Sequence, residues 1–107
     1  MSRKDVVEKL IEELHLMLLR PILFVGENTV HGARIYLGGV DLALGTMGVI
    51  MSVDALIQVT ESRGWEFSAN GAVNDMRKRG LSEEQMVQEL ILIKIRMLEI
   101  VAEGLLD

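Results

Sequence analysis

The residues whose types and spacing could do chemistry lie on one stripe of a predicted helix near the middle of the chain. Arg34 and Asp41 stand two helical turns apart, with Gly38 between them and His31 at the edge of the stripe. The guanidinium of Arg34 could bind a carboxylate or phosphate with two parallel hydrogen bonds, and Asp41 could accept a hydrogen bond from a ligand. These groups could therefore frame a shallow polar slot for a small ligand. The interpretation that we favour from the sequence is an ordinary solvated face that carries two charges.

The adjacent pair Gly38 and Gly39 is a second unusual feature of this helix. Glycine inside a helix costs about 1 kcal/mol relative to alanine. We therefore expect a compensating contact, most simply the close approach of another backbone or of a ligand.

Lys94 lies among apolar residues of the last predicted helix. Such a lysine either extends along the apolar surface until its ammonium reaches water, or it is buried and needs a carboxylate partner, because an unpaired buried charge is expensive. Asp41 and Asp54 are the natural partners. Lys94 joins His31, Arg34 and Asp41 as the fourth predicted ligand-binding residue.

Other kinds of chemistry find little support in the sequence. There is no Cys, which excludes disulfides, thiolate metal ligands and cysteine nucleophiles. His15 and His31 are far apart and lack carboxylates at metal-ligand spacing, so we predict no metal site and no cofactor. No Ser-His-Asp order, glycine-flanked nucleophile or phosphate-binding loop occurs. We therefore name no catalytic residue and expect a binding protein rather than an enzyme.

The composition predicts a single domain over residues 1–107, of which 50% are hydrophobic, so the chain can build a core. The net charge is −5, whereas a free-standing nucleic-acid-binding protein needs a basic patch. The acidic balance suits a protein partner with a basic face, or it simply keeps the protein soluble. For a protein partner the predicted contacts are Trp65, because Trp is enriched in binding hot spots, and Glu99 and Glu103.

Residues 35–53 are long enough to span a bilayer and hold a single charge. That charge, Asp41, would lie near the middle of the span at a cost of about 2.5–3.5 kcal/mol, and no lysine cluster flanks the segment. We therefore predict no membrane segment. The charged start of the chain does not resemble a signal peptide, and the expected location is the cytoplasm.

The run from Ser82 to Glu103 is the element around which the other helices must pack. Ser82 and Gln85 form a capping box, and no Pro or Gly interrupts the run before Gly104. Its apolar residues cover more than half of the helical circumference, so this helix must lie between neighbouring helices or between subunits. A homodimer that buries the surplus apolar arc is therefore predicted.

The first half of the chain predicts two further helices. From residue 3 to residue 19 apolar side chains recur every three or four positions, and Leu16 and Leu19 indicate a last turn that is covered on every side. A second helix, residues 30–44, begins after Asn28 or Thr29, either of which can cap it.

The second half before the last helix is less regular. A third helix begins at Ser52, stops at Gly64 and buries Val53, Leu56, Ile57 and Val59. Residues 65–73 form either a hairpin, turning at Asn70-Gly71, or, as we prefer, the approach to a short helix that Asn70 caps and that ends at Gly80. The predicted fold class is all-α, a compact bundle of four or five helices with a long central C-terminal helix.

The segment LRPILFVGENTVHGARIYLGGVDLAL resembles two groups of proteins. Its Arg-Pro opening and following Gly resemble the RPxMYxG segment of the GHKL ATPases. The stretch YLGGVDLAL holds neither the Glu base nor the magnesium-binding Asn of that family, so no ATPase activity is expected.

Residues 20–45 also resemble small helical bacterial proteins of toxin-immunity type with an RPxxxxG opening. The matching residues are Arg20, Pro21, Phe24, Gly26, Tyr36, Leu37 and Gly38. This resemblance implies a helical interaction protein of immunity, antitoxin or inhibitor type, which binds a protein partner and blocks or scaffolds it.

Overall fold

The computed structural model describes residues 2–20, 28–69 and 71–105. Within these ranges the chain forms five α-helices and no strand, which confirms the predicted all-α class. The helices are α1 (Arg3–Leu19), α2 (Val30–Thr46), α3 (Val53–Ser62), α4 (Val73–Lys78) and α5 (Glu83–Gly104). Residues 21–27, which include the Pro21, Phe24 and Gly26 of the resemblance, lie outside the described part, as does Asn70.

The predicted capping box starts α5. The Ser82 hydroxyl accepts a hydrogen bond from the backbone N–H of Gln85 at 3.2 Å, and the Gln85 side chain accepts one from the Ser82 N–H at 2.8 Å. Both bonds satisfy amide groups that the first turn of a helix leaves without partners. The helix then continues without interruption to Gly104.

The central position of α5 is confirmed, because it separates two hydrophobic cores. Val87, Ile91, Ile95 and Leu98 on one side of α5 pack with buried residues of α1 and α2. Met86, Ile93 and Met97 on the other side pack with buried residues of α3 and α4. The chain's own helices thus cover the apolar arc that suggested a homodimer, and α5 provides no argument for one.

Helix α2 runs parallel to α5. The backbone N–H of Val30 donates to Glu83 Oε2 at 2.9 Å, and Lys94 Nζ donates to both carboxylate oxygens of Asp41 at 2.8 Å. The two residues in each pair are 53 positions apart in the chain. The second pair lies about three turns further along both helices, so the same stripes face each other over that length. This register fixes which α2 residues can meet α5.

Three local expectations differ from the structure. The last turn of α1 is open rather than covered, with Leu16 and Leu19 exposed by 54% and 78%, and Val53 is 65% exposed rather than buried. Helix α4 begins after Ala72, two residues later than predicted, and has no side-chain cap. Of the two alternatives for residues 65–73, the structure shows the preferred one, the approach to a short helix, with one isolated bridge between Ser68 and Gly71 before it.

The apolar stretch 35–53 is not one continuous helix. Helix α2 ends at Thr46, and Gly48 turns the chain with φ of 77° before α3 begins at Val53. Within the described part of the chain, no helix combines the length and the apolar character needed to cross a bilayer.

Candidate functional site

The predicted ligand-binding residues meet at a cleft between α2, α3 and α5. Its volume is about 390 Å³, within the range of roughly 300–1,000 Å³ typical of small-molecule sites. Three of the four predicted residues, Arg34, Asp41 and Lys94, line it, whereas His31 is exposed on α2 and does not. The other lining residues are Leu37, Gly38, Leu56, Thr60, Phe67, Ala69, Gly71, Ala72, Leu90 and Ile93.

Lys94 and Asp41 form the clearest polar feature of the cleft. The ammonium of Lys94 lies 2.8 Å from each carboxylate oxygen of Asp41, so the partner predicted for a buried lysine is the one observed. The Lys94 side chain is 13% exposed and that of Asp41 is 45% exposed. The lysine is therefore held at the wall of the cleft by a carboxylate that still reaches solvent.

Arg34 reaches the same cleft from α2, on the same side of the helix as Asp41. Seven residues make almost two full helical turns, so the two side chains leave α2 in nearly the same direction. Gly38 lies between them and has no side chain, so α2 projects less into the cleft at that point. Arg34, Gly38 and Asp41 thus line one side of the cleft and are also exposed to solvent.

The opposite wall is apolar, and its residues lie far from Arg34 and Asp41 in the sequence. Leu56 from α3 and Phe67 from the turn before α4 line it, together with Leu90 and Ile93 of α5. Thr60 also lines it and is the buried polar side chain of the described core, at 1% exposure. Its position four residues after Leu56 is the sequence signal that could have placed it on the buried side of α3.

This arrangement can bind a ligand that is apolar along one side and polar at one end. Arg34 and Lys94 offer charged donors, Asp41 offers an acceptor, and the facing wall excludes water from an apolar group.

Trp65, which follows α3 in the chain, belongs to a separate polar cluster around Glu89 of α5. Its indole N–H donates to Glu89 Oε1 at 2.7 Å, and Arg63 donates to both oxygens of the same carboxylate, at 3.1 and 2.7 Å. The guanidinium carbon of Arg79 lies 5.2 Å from the centre of the Trp65 ring, a cation–π distance. Trp65 is half-buried and held by its own chain.

The charge of Glu89 reflects these neighbours. Burial raises the pKa of Glu89, but the hydrogen bonds from Arg63 and Trp65 lower it by more, so the pKa lies below its ordinary value of 4.5. Glu89 thus remains a carboxylate that ties α5 to the segment after α3.

The other two predicted partner-binding residues lie near the C-terminal end of α5. Arg96 faces both of them, with 4.0 Å from its guanidinium to the carboxylate of Glu99 and 3.6 Å to that of Glu103. Their side chains are 45% and 70% exposed and lie outside the cleft. Ion pairs as exposed as these contribute little to stability.

A second depression, of about 380 Å³, is lined by Glu66, Ser68, Asn74, Asp75 and Lys78. Its central carboxylate, that of Asp75, already accepts a hydrogen bond of 2.8 Å from the backbone N–H of Glu66. This hydrogen bond is the main reason that the pKa of Asp75 is lowered. Arg79 lowers the pKa further, whereas burial raises it by less than the hydrogen bond lowers it. This depression has no apolar wall comparable with that of the cleft.

No three His, Asp or Glu side chains of the described residues are grouped so that they could hold a metal ion. No protein-family model, curated protein sequence or solved structure matches this chain.

Proposed function

We propose that the protein binds a small ligand with an apolar body and an anionic end in the cleft between α2, α3 and α5. The observation that carries the proposal is the convergence of Arg34, Asp41 and Lys94, from two helices, on one side of a cleft whose other side is apolar. Charged residues are rarely brought together beside apolar surface unless they are paired or used.

The position of each group supports an anionic end for the ligand. Lys94 Nζ has three N–H donors, and its carboxylate partner lies at the more exposed end of the pair. Arg34, on the same side of the cleft, adds a planar donor group that suits carboxylate or phosphate. A carboxylate or phosphate near these two cations would leave its apolar body against Leu56 and Phe67.

Thermal unfolding in the presence of octanoate, benzoate and phenyl phosphate tests this proposal. At ten times the dissociation constant, a bound ligand raises the melting temperature of a domain of this size by about 5 °C. We expect Arg34→Ala and Lys94→Met to abolish the rise. Arg96→Ala removes a cation of α5 that lies outside the cleft, and this variant should keep the rise in melting temperature.

A rise of equal size in all four proteins would place the ligand elsewhere. If none of the three probes raised the melting temperature of the unmodified protein, the proposed ligand class would be wrong.

A protein partner with a basic surface is the second candidate function. It is supported by α1, whose outer side exposes Glu8, Glu12 and Glu13 and, in its last turn, Leu16 and Leu19. Acidic residues beside exposed leucines suit a basic partner with apolar anchoring contacts. The resemblance to toxin-immunity proteins and the predicted contacts at Trp65, Glu99 and Glu103 belong to this candidate, as does a cytoplasmic location.

Affinity capture from cell extract at two salt concentrations tests the second candidate. We expect a stoichiometric complex that is lost at high salt, because screening weakens contacts between exposed charges. Glu12→Lys should weaken the complex and Arg34→Ala should not. A complex that tolerates Glu12→Lys and high salt would contradict the proposed surface.

A further inference from the structure

The outward side of α2 is an exposed apolar surface that the other described helices do not cover. We define this outer face as Ile35, Gly38, Gly39, Leu42 and Thr46, all of which are exposed. Ile35 is 64% and Leu42 is 73% exposed, and none of the five residues is charged. Solvent-exposed sides of helices normally carry charged or polar residues.

The glycines of the outer face have no explanation within one chain. A methyl group at Gly38 or Gly39 would meet no atom of the described chain within 4 Å. Both residues adopt ordinary helical conformations, because neither has a positive φ. Alanine would fit both positions and favour the helix more. Among the described residues nothing approaches these glycines closely, whereas a second molecule packed on the outer face would do so.

We propose that two copies of the chain form a dimer through their outer faces, with the two α2 helices antiparallel about a twofold axis near Gly38 and Gly39. In this arrangement Ile35 packs against Leu42 of the second copy, and Leu42 against its Ile35. The glycines meet at the axis, where the absence of side chains lets the two backbones come close. Gly38 belongs to the outer face and also lines the cleft, as do Arg34 and Asp41 at its edge, so dimer formation and ligand binding are measured separately.

Charge complementarity selects a second copy in the antiparallel orientation. Arg34 and Asp41 precede Ile35 and Leu42 by one residue each, so both flank the same edge of the outer face. In an antiparallel pair the Arg34 of each copy lies within about one turn of the other copy's Asp41. In a parallel pair the same edge of the two helices would lie on opposite sides of the interface, so Arg34 and Asp41 of the two copies would not meet. Antiparallel helices also align their dipoles favourably.

Ile50, beyond the end of α2, is 83% exposed and shares a depression with Asp41 and Gly45, at the Arg34–Asp41 edge of the outer face. The outer face itself is a strip of about 25 Å along α2. A specific interface buries roughly 1,200 Å² or more in total, so residues beside the strip, such as Ile50, must contribute to it.

Measuring the native mass of the full chain by light scattering and sedimentation tests the dimer. We expect about twice the 11.9 kDa of one chain. Leu42→Lys places an ammonium in the centre of the interface on both copies, and should raise the dissociation constant by roughly a hundredfold or more. Leu19→Lys, at the 78% exposed Leu19 of α1, is the matched control and should remain dimeric.

Gly39→Leu gives a second test that introduces no charge. It meets no described atom of its own chain, so the helix should form normally, which circular dichroism would show. In the dimer the added side chain blocks the contact between backbones and should also produce a monomer.

Cross-linking through introduced cysteines tests the orientation, because the chain has no Cys of its own. An equimolar mixture of Ile35→Cys and Leu42→Cys should form a disulfide between the two variants, whereas either variant alone should not. A Leu42→Cys protein that cross-links with itself would overturn the antiparallel arrangement.

A monomeric mass at every concentration would overturn the dimer and leave the outer face to a different protein. A dimer that tolerates both Leu42→Lys and Gly39→Leu would overturn the proposed interface. Ligand binding that survives in the monomeric Leu42→Lys variant would leave the function of the cleft intact, so the two proposals fail independently.

Discussion

Two charged side chains of α5, Glu89 and Lys94, stand little more than one helical turn apart and meet different conditions. Glu89 accepts three hydrogen bonds, two from Arg63 and one from Trp65, and these fix its position. Lys94 is bound by one carboxylate, that of Asp41, beside an open cleft. Both are charged residues on a mostly apolar helix, yet only Lys94 lies beside a space that a ligand could enter.

The difference shows that burial of a charge does not by itself mark a binding site. Glu89 ties two segments of the chain together and its oxygens are occupied, whereas Lys94 and Asp41 lie where a third group can join them. We therefore expect changes near Glu89 to alter mainly stability, and changes near Lys94 to alter mainly binding.

The largest expected effect is that of Trp65→Ala. It removes a half-buried ring, its hydrogen bond to Glu89 and its contact with Arg79, and should lower the free energy of unfolding by about 2–3 kcal/mol. Urea denaturation measures this. Trp65→Phe keeps a smaller aromatic ring and loses the N–H donor, so it should lose less, about 1 kcal/mol. Equal losses in the two variants would mean that the hydrogen bond, and not packing, dominates.

An intermediate effect is expected from acid, through Glu89. Its pKa is lower in the folded protein than in the unfolded chain, because the hydrogen bonds from Arg63 and Trp65 outweigh burial. The stabilisation is therefore complete above about pH 4.5 and is lost as the pH falls through the folded-state pKa.

Urea denaturation over a series of pH values should show Glu89→Gln less stable than the unmodified protein at neutral pH and less sensitive to acid. Asp75 contributes in the same direction at lower pH, since its pKa is lowered from 3.8 chiefly by the backbone N–H of Glu66. Glu103→Gln makes the same charge change at a 70% exposed position and should keep the original acid sensitivity. A Glu89→Gln protein with unchanged acid sensitivity would contradict this account.

The smallest effect on stability is expected from Lys94→Met. Methionine replaces the mostly buried lysine with an apolar side chain of similar length and leaves the Asp41 carboxylate, which is 45% exposed, in contact with water, so the free energy of unfolding should change by less than about 1 kcal/mol. Asp41→Ala should cost more, because it leaves the Lys94 ammonium without its carboxylate. If Lys94→Met destabilised the protein as strongly as Trp65→Ala, Lys94 would belong with Glu89 as a structural charge.

The helices could be predicted from the sequence because their signals are local. The capping box at Ser82, the cap at Thr29 and the cap at Ser52 all lie where the residue types indicate. The apolar circumference of α5 also predicted correctly that the helix is enclosed. The pairing of Lys94 followed from the high energy of an unpaired buried charge, which left few possible partners.

The apolar wall of the cleft could not be predicted, since it depends on which sides of separate helices meet. Nothing near Arg34 in the sequence indicates that Leu56 and Phe67 lie across from it. Leu16 and Val53 were misplaced for a related reason: periodicity identifies an apolar side chain but not whether another element covers it.

The placement of α5 between two cores has a consequence for motion. Neither core can separate from α5 without exposing apolar surface on that helix, so the two halves cannot open independently at low energy. Backbone amides in the middle of α5 should accordingly exchange hydrogen for deuterium only when the whole molecule unfolds, while those of the short α4 exchange through smaller fluctuations.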